Sequence, residues 1–283
     1  MARGLDHIVH AVRDLDAAGE FYARLGFTVG ARNRHPWGTH NRLVQFPGVF
    51  IELLTVAEPE LIVEAKPRQF SFGASARDFL ARREGLAMLV LEGKGAADDA
   101  AAFRASGIGD FEVFDFEREG KRPDGSAVKV AFSLAFAADR QADAAFFTCQ
   151  QHFPENFWNP AFQQHQNGVT GVAGVVFAAE KPAEHADFFK AFAGVSEAAS
   201  TESGIVLRTP RGEIEVVRPE AFQRYGVEAP DVSRGMRFAA IRFAARDLAA
   251  ARASAGAKEQ GGRLVVPPNA AFGATLVFES LTT

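Results

Sequence analysis

The chain has 283 residues, 47% hydrophobic and 23% charged, with 31 Lys and Arg against 35 Asp and Glu for a formal net charge of -4. This is the composition of an ordinary globular protein, long enough for one large or two medium domains, and its slight negative balance argues against nucleic acid or an anionic membrane as partner. A single cysteine, Cys149, excludes an internal disulfide and a Cys-rich zinc site.

The first residues carry no apolar signal core, and no apolar run approaches the roughly 20 residues that span a bilayer. The expectation is a cytoplasmic protein. Residues 5–12 read as a strand and residues 14–25 as a helix. Asp14 is placed to accept from the free amides of the first helical turn, and Leu15, Ala18, Phe21, Tyr22 and Leu25 recur at helical spacing. Gly26 suits the left-handed residue that stops a helix. Three more strands follow, the last over 49–54. Residues 59–84 connect, with a short helix near 76–83. A second strand–helix unit runs from 86–91 through 97–105 to Gly107, then strands at 111–119, 127–136 and 144–150. Arg122-Pro123-Asp124-Gly125 marks a turn between two of these strands. An aromatic stretch with two prolines, 151–168, reads as either an inter-domain strap or a pocket wall. The third unit has a strand at 172–177 and a helix with Pro182 near its first turn. That helix carries Phe188, Phe189 and Phe192 and stops at Gly194, and strands at 204–209 and 213–217 follow. The fourth has a strand at 236–243, a helix over 247–252 ending near Gly256, and strands at 263–266 and 274–278. With 27 Phe against 2 Trp and 2 Tyr, the core is expected to be packed with phenylalanine.

Strand, helix, glycine stop and further strands thus recur four times, at 5–56, 85–150, 169–220 and 236–280. The expected fold class is α+β: four βαβββ modules, paired as an N-terminal domain, 1–168, and a C-terminal domain, 169–283. The pattern resembles the vicinal oxygen chelate superfamily, which includes glyoxalase I, bleomycin-resistance proteins and extradiol dioxygenases. The resemblance rests on Leu5-Asp6-His7-Ile8, Asp14-Leu15-Asp16-Ala17-Ala18, Phe21-Tyr22, Leu25-Gly26-Phe27 and Phe50-Ile51-Glu52-Leu53. It implies glyoxalase-like domains whose curved mixed sheets close around a cavity.

The resemblance also implies that His7 and Glu52 share the concave side, where a first-strand His and a last-strand Glu often bind a divalent metal. Imidazole and carboxylate suit Fe²⁺, Mn²⁺, Zn²⁺ or Ni²⁺. Independently, a carboxylate between Ile51 and Leu53 needs a metal, a cation or a proton. A direct His7–Glu52 pair that only closes the sheet is the alternative. Matching the modules puts Met88, Gly174 and Ala240 at the His7 position and Glu215 at the Glu52 position. The second module offers Thr148 or Gln150 at that position, depending on a two-residue register, and Gln150, through its amide oxygen, is the candidate third ligand. Glu52 is the candidate catalytic group, and His40, Asn41, His152 and Trp158 are candidate substrate contacts. His10 and Cys149 read as structural. Phosphate-loop, dinucleotide and serine-hydrolase motifs are absent. Three functions stay open: a metal-dependent lyase, isomerase or dioxygenase acting on a small oxygenated molecule; a non-catalytic small-molecule binder; and a structural module with a vestigial cavity. The third and fourth modules read as scaffold, with homodimerisation open.

Overall fold

Residues 1–121, 127–252 and 257–280 are described by the structure, a computed structural model. β1 (Leu5–Ala11) is buried along its whole length, as a central strand must be. α1 (Leu15–Arg24) starts where the Asp14 carboxylate accepts from the amides of Asp16 and Ala17, and it buries Leu15, Ala18, Gly19 and Tyr22. β2 (Asn33–Arg34), β3 (Thr39–Phe46) and β4 (Val49–Val56) complete the first unit. α2 (Phe72–Arg82) leads into β5 (Gly85–Glu92), α3 (Ala96–Ala105), β6 (Phe114–Lys121), β7 (Ala127–Ala137) and β8 (Ala145–Gln151). One helical turn, α4 (Pro154–Phe157), opens the strap to the second half. There follow β9 (Val169–Ala178), α5 (Ala186–Ala193), β10 (Ala199–Ser200), β11 (Gly204–Arg208) and β12 (Glu213–Val217). The last unit is β13 (Arg237–Ala245), α6 (Leu248–Arg252), β14 (Lys258–Gln260), β15 (Arg263–Val266) and β16 (Thr275–Ser280).

The strands form two eight-stranded sheets, β2-β3-β4-β1-β5-β8-β7-β6 and β10-β11-β12-β9-β13-β16-β15-β14. The order is the same in both. Each unit's first and last strands pair in parallel, and the two units of a sheet join through an antiparallel pair, β1·β5 or β9·β13. The chain therefore forms the expected α+β fold of four βαβββ units in two pairs.

The largest core cluster draws on both halves. Phe146 of β8 meets Phe188, Phe189 and Phe192 of α5 at centroid distances of 4.8, 5.8 and 5.6 Å. Phe27, after α1, meets Phe243 of β13 at 5.1 Å. A smaller cluster lies on the inner face of each sheet. On the first, α2 begins at Phe72, ahead of the expected start at 76. The reason is local: Ser71 Oγ accepts from the Ala74 amide, and Phe72, Ala76, Phe79 and Leu80 bury against the sheet. In the third unit, Pro182–His185 forms a 3₁₀ turn and the α-helix proper starts at Ala186. The short edge strands β10 and β14 are additions to the expected elements, whereas β2 is the first of the three strands expected after α1. The turn at Arg122-Pro123-Asp124-Gly125 and the stop near Gly256 lie outside the described residues. No helix among the described residues is long and apolar enough to cross a membrane.

Candidate functional site

The inner face of the first sheet surrounds a cleft of about 710 Å³, counting space open to solvent, with walls that include Trp37, Phe50, Phe72, Phe116, Phe132 and Phe147. Polar groups gather on one side of it. The parallel β1·β4 ladder sets His7 opposite Phe50 and Val9 opposite Glu52, so His7 and Glu52 are diagonal neighbours on one face. The His7 ring stacks on Phe50 at 4.4 Å and 12°. Its Nε2 is 3.9 Å from Glu52 Oε2, too far for a hydrogen bond. Its Nδ1 is 2.6 Å from Asp6 Oδ1, and the other Asp6 oxygen accepts from Gln151 Nε2 at 3.1 Å. With Nδ1–H donated to Asp6, His7 presents a bare Nε2 to the cleft.

His35 enters from the turn between β2 and β3. Its Nδ1 is 2.9 Å from Thr39 Oγ1, its ring stacks on Trp37 at 4.7 Å, and its Nε2 is 3.9 Å from Glu52 Oε1. Burial lowers the His35 pKa, against the pull of Glu52, so the ring is neutral near pH 7. Asn41 of β3 donates to Glu52 Oε1 at 2.6 Å and lies 3.3 Å from His35 Nε2, and its own carbonyl oxygen accepts from Asn33. Arg118 lines the cleft from β6, where Phe114, Phe116 and Arg118 alternate with exposed Asp115, Glu117 and Glu119.

The donor set can be tested against a metal. Two imidazole nitrogens and one carboxylate converge, and both rings have their Nδ1 engaged, as metal-ligating histidines usually do. Such an N,N,O set suits Fe²⁺, Mn²⁺, Zn²⁺ or Ni²⁺. Among the described residues the second unit adds no hard ligand: Met88, Phe147 and Cys149 face the cleft from β5 and β8. Asp6, His7 and Cys149 each place a ligand atom within 4.8 Å of the others. Burial first, then the charges of Asp6 and Glu52, push the Cys149 thiol well up, so it stays protonated.

Other expected contacts lie elsewhere. Gln150 is not beside Glu52. Its Oε1 accepts from the Ala96 amide at 3.0 Å, at the start of α3 on the opposite face of β8, because Phe147 and Cys149 are the residues facing the cleft. His40 alternates with Asn41 and turns away to Glu58 Oε2 at 2.9 Å. His152 bonds Ser133 Oγ at 2.7 Å, whereas Phe132 and Leu134 are the β7 residues turned inward. Trp158 packs 5.9 Å from Phe50, and its neighbour Phe157 lines the cleft. The strap is thus also a wall, pinned where Gln45 donates to Phe157 O at 3.1 Å and accepts from the Asn159 amide at 3.2 Å. Asp6, His35 and Arg118 were not expected. Their signals were an acid next to His7 within an apolar strand, the turn His35-Pro36-Trp37-Gly38, and a cation at an inward position of an alternating strand.

The second sheet is filled where the first is open. Gly174 pairs with Glu213 as His7 pairs with Phe50. A Cβ at Gly174 would lie 2.8 Å from Glu213 O and 3.4 Å from Arg242 Nη1, so the glycine leaves room for that arginine. Arg242 pairs with Glu215 and, at 3.1 and 2.6 Å, with Glu213 and Glu279. Arg224 pairs with Glu215 at 2.7 Å, and Phe222 and Tyr225 bury beside them.

Residues 5–192, more than half of the chain, match the family described as a glyoxalase-like domain. No curated protein matches the chain. Among solved structures, a hypothetical protein from Staphylococcus aureus is similar with a TM-score of 0.70 and 14% identity, over 99% of this chain and 100% of that one. A triple mutant of 4-hydroxymandelate synthase from Streptomyces coelicolor is similar at 0.56 and 12%, over 99% and 92%. A xylose isomerase-like TIM barrel/4-hydroxyphenylpyruvate dioxygenase fusion protein is similar at 0.53 and 13%, covering all of this chain and 50% of that one. At these identities the likeness is one of fold. From the family match together with four βαβββ units in two paired sheets, the chain belongs to the glyoxalase-like domain family of the vicinal oxygen chelate superfamily.

Proposed function

We propose that the first sheet's cleft is the active site of an enzyme acting on a small oxygenated molecule, with a divalent metal held by His7, His35 and Glu52. One observation carries this reading: each imidazole Nε2 stands 3.9 Å from an oxygen of Glu52, at the edge of an apolar cleft. A metal bound there supplies Lewis acidity toward adjacent substrate oxygens. The chain's own residues do the rest. Asp6 holds the His7 proton on Nδ1, Asn41 fixes Oε1 of Glu52, and the Glu52 carboxylate lines the cleft, where it would accept a substrate proton. The aromatic walls exclude water and accept a flat apolar body. Fold neighbours named as a synthase and a dioxygenase fusion support an enzyme. The second reading, a non-catalytic binder, draws support from Asn41, whose amide serves Glu52 at 2.6 Å and lies 3.3 Å from His35 Nε2.

Metal content of protein purified without chelator, followed by titration of chelator-treated protein with Fe²⁺, Mn²⁺, Zn²⁺ and Ni²⁺, separates the two. Tight binding that is lost in His7→Ala, His35→Ala and Glu52→Gln, and kept in Gln150→Ala, supports the metal enzyme. Failure of the parent protein to bind any of these ions leaves the binder.

A further inference from the structure

We infer that the ligand of this cleft is an acid: a flat apolar body carrying a carboxylate that pairs with Arg118. The assignment rests on the cleft being a ligand site, not on the metal. Arg118 is half-buried on β6 and lines the cleft among aromatic rings, with Phe116 two residues away in the strand and Trp37 4.8 Å from Phe116, while its outer side borders a groove with Glu117 and Glu119. Among the described residues no carboxylate lies within 4.0 Å of its guanidinium, and its Nη1 donates only to the Glu119 carbonyl, at 3.3 Å. The second sheet shows the contrast, since its inward arginine, Arg242, is neutralised by three glutamates.

Glu52 does not play that role for Arg118. It acts on the arginine through space only, while one of its oxygens is held by Asn41 and both face histidines. Burial is the larger influence on Arg118 and draws its pKa down, the mark of a cation short of solvent. A cation in an apolar wall is costly unless paired. A carboxylate meets a guanidinium through two parallel hydrogen bonds, which a neutral oxygen cannot match. The ring-lined walls then select the body of the molecule.

Both tryptophans of the chain line or adjoin the cleft, so intrinsic fluorescence reports its occupancy. The full chain would be titrated with benzoate, phenylacetate and 3-phenylpropionate, and with the amide of each, in chelator-treated and metal-loaded protein. The expected result is that at least one acid binds tenfold or more tighter than its amide. Arg118→Gln should abolish that preference and Arg118→Lys should retain part of it. Equal binding of acids and amides, binding of neither, or a preference that survives Arg118→Gln would overturn the inference. A preference seen in protein that binds no metal sinks the metal reading alone and leaves the acid-binding inference standing.

Discussion

Asp6 and His7 are consecutive residues of β1, yet Asp6 Oδ1 lies 2.6 Å from His7 Nδ1. In a regular strand, neighbours point to opposite faces. Here the β1·β5 pairing runs from Leu5↔Leu91 to His7↔Val90, so Asp6 is an extra residue in a bulge. Bulges re-aim side chains near functional sites. This one brings a carboxylate, anchored by Gln151, behind the imidazole that faces Glu52.

Asp6→Asn replaces a charged acceptor by an amide that also donates, so the tautomer of His7 is no longer held. Metal affinity should fall roughly 10–100-fold with the fold intact. Calorimetric titration checks this, and unchanged affinity would remove Asp6 from the site.

His10 sets a pH dependence of stability. It is fully buried between the Tyr22 hydroxyl and the Phe272 carbonyl oxygen, each at 3.0 Å. Burial lowers its pKa from 6.5 to about 4. Between those values the unfolded chain binds a proton that the folded chain does not. Stability is therefore lost as pH falls from 6.5 toward about 4, and the loss levels off below that. The contribution is on the order of 3 kcal/mol. Urea midpoints at several pH values should fall less steeply in His10→Gln than in the parent, and parallel curves would refute the assignment.

The seam between the halves is aromatic. Phe192 is 0% exposed and Phe188 8% exposed, and both pack on Phe146. Phe192→Ala should cost about 3–5 kcal/mol, and Phe188→Ala less. Chemical denaturation of both variants tests the order.

Arg242→Met would leave Glu213, Glu215 and Glu279 facing one another on the inner face of the second sheet. Each glutamate keeps a second arginine, Arg208, Arg224 or Arg263, so losing the shared partner should cost less than the roughly 3–5 kcal/mol of a buried charge left alone. Metal and ligand binding in the first cleft should be untouched. A fall in thermal midpoint without loss of binding is the expected pattern, and loss of binding in a folded variant would show that the second sheet is more than scaffold.

Much of this molecule is readable from local physics. Helix starts and stops follow from Asp14, Gly26 and Gly194, which act within one turn of chain. The fourfold recurrence of strand and helix names the fold because each unit repeats the same periodicities. His7 and Glu52 stand out because polar residues in buried strands need partners.

What the sequence could not settle was strand parity and strand register. A shift of one residue moves a side chain to the other face, and this is how Cys149 rather than Gln150, and Asn41 rather than His40, came to face the cleft. Asp6 was hidden by a bulge, which breaks the alternation that a reader of sequence relies on. His35 and Arg118 reach Glu52's cleft from a turn and an edge strand distant in sequence from it. Strand pairing brings them in, His35 through β2, β3 and β4 and Arg118 through β6 at the other edge of the sheet, and the face each side chain meets is set by that register, which no local pattern of residues encodes.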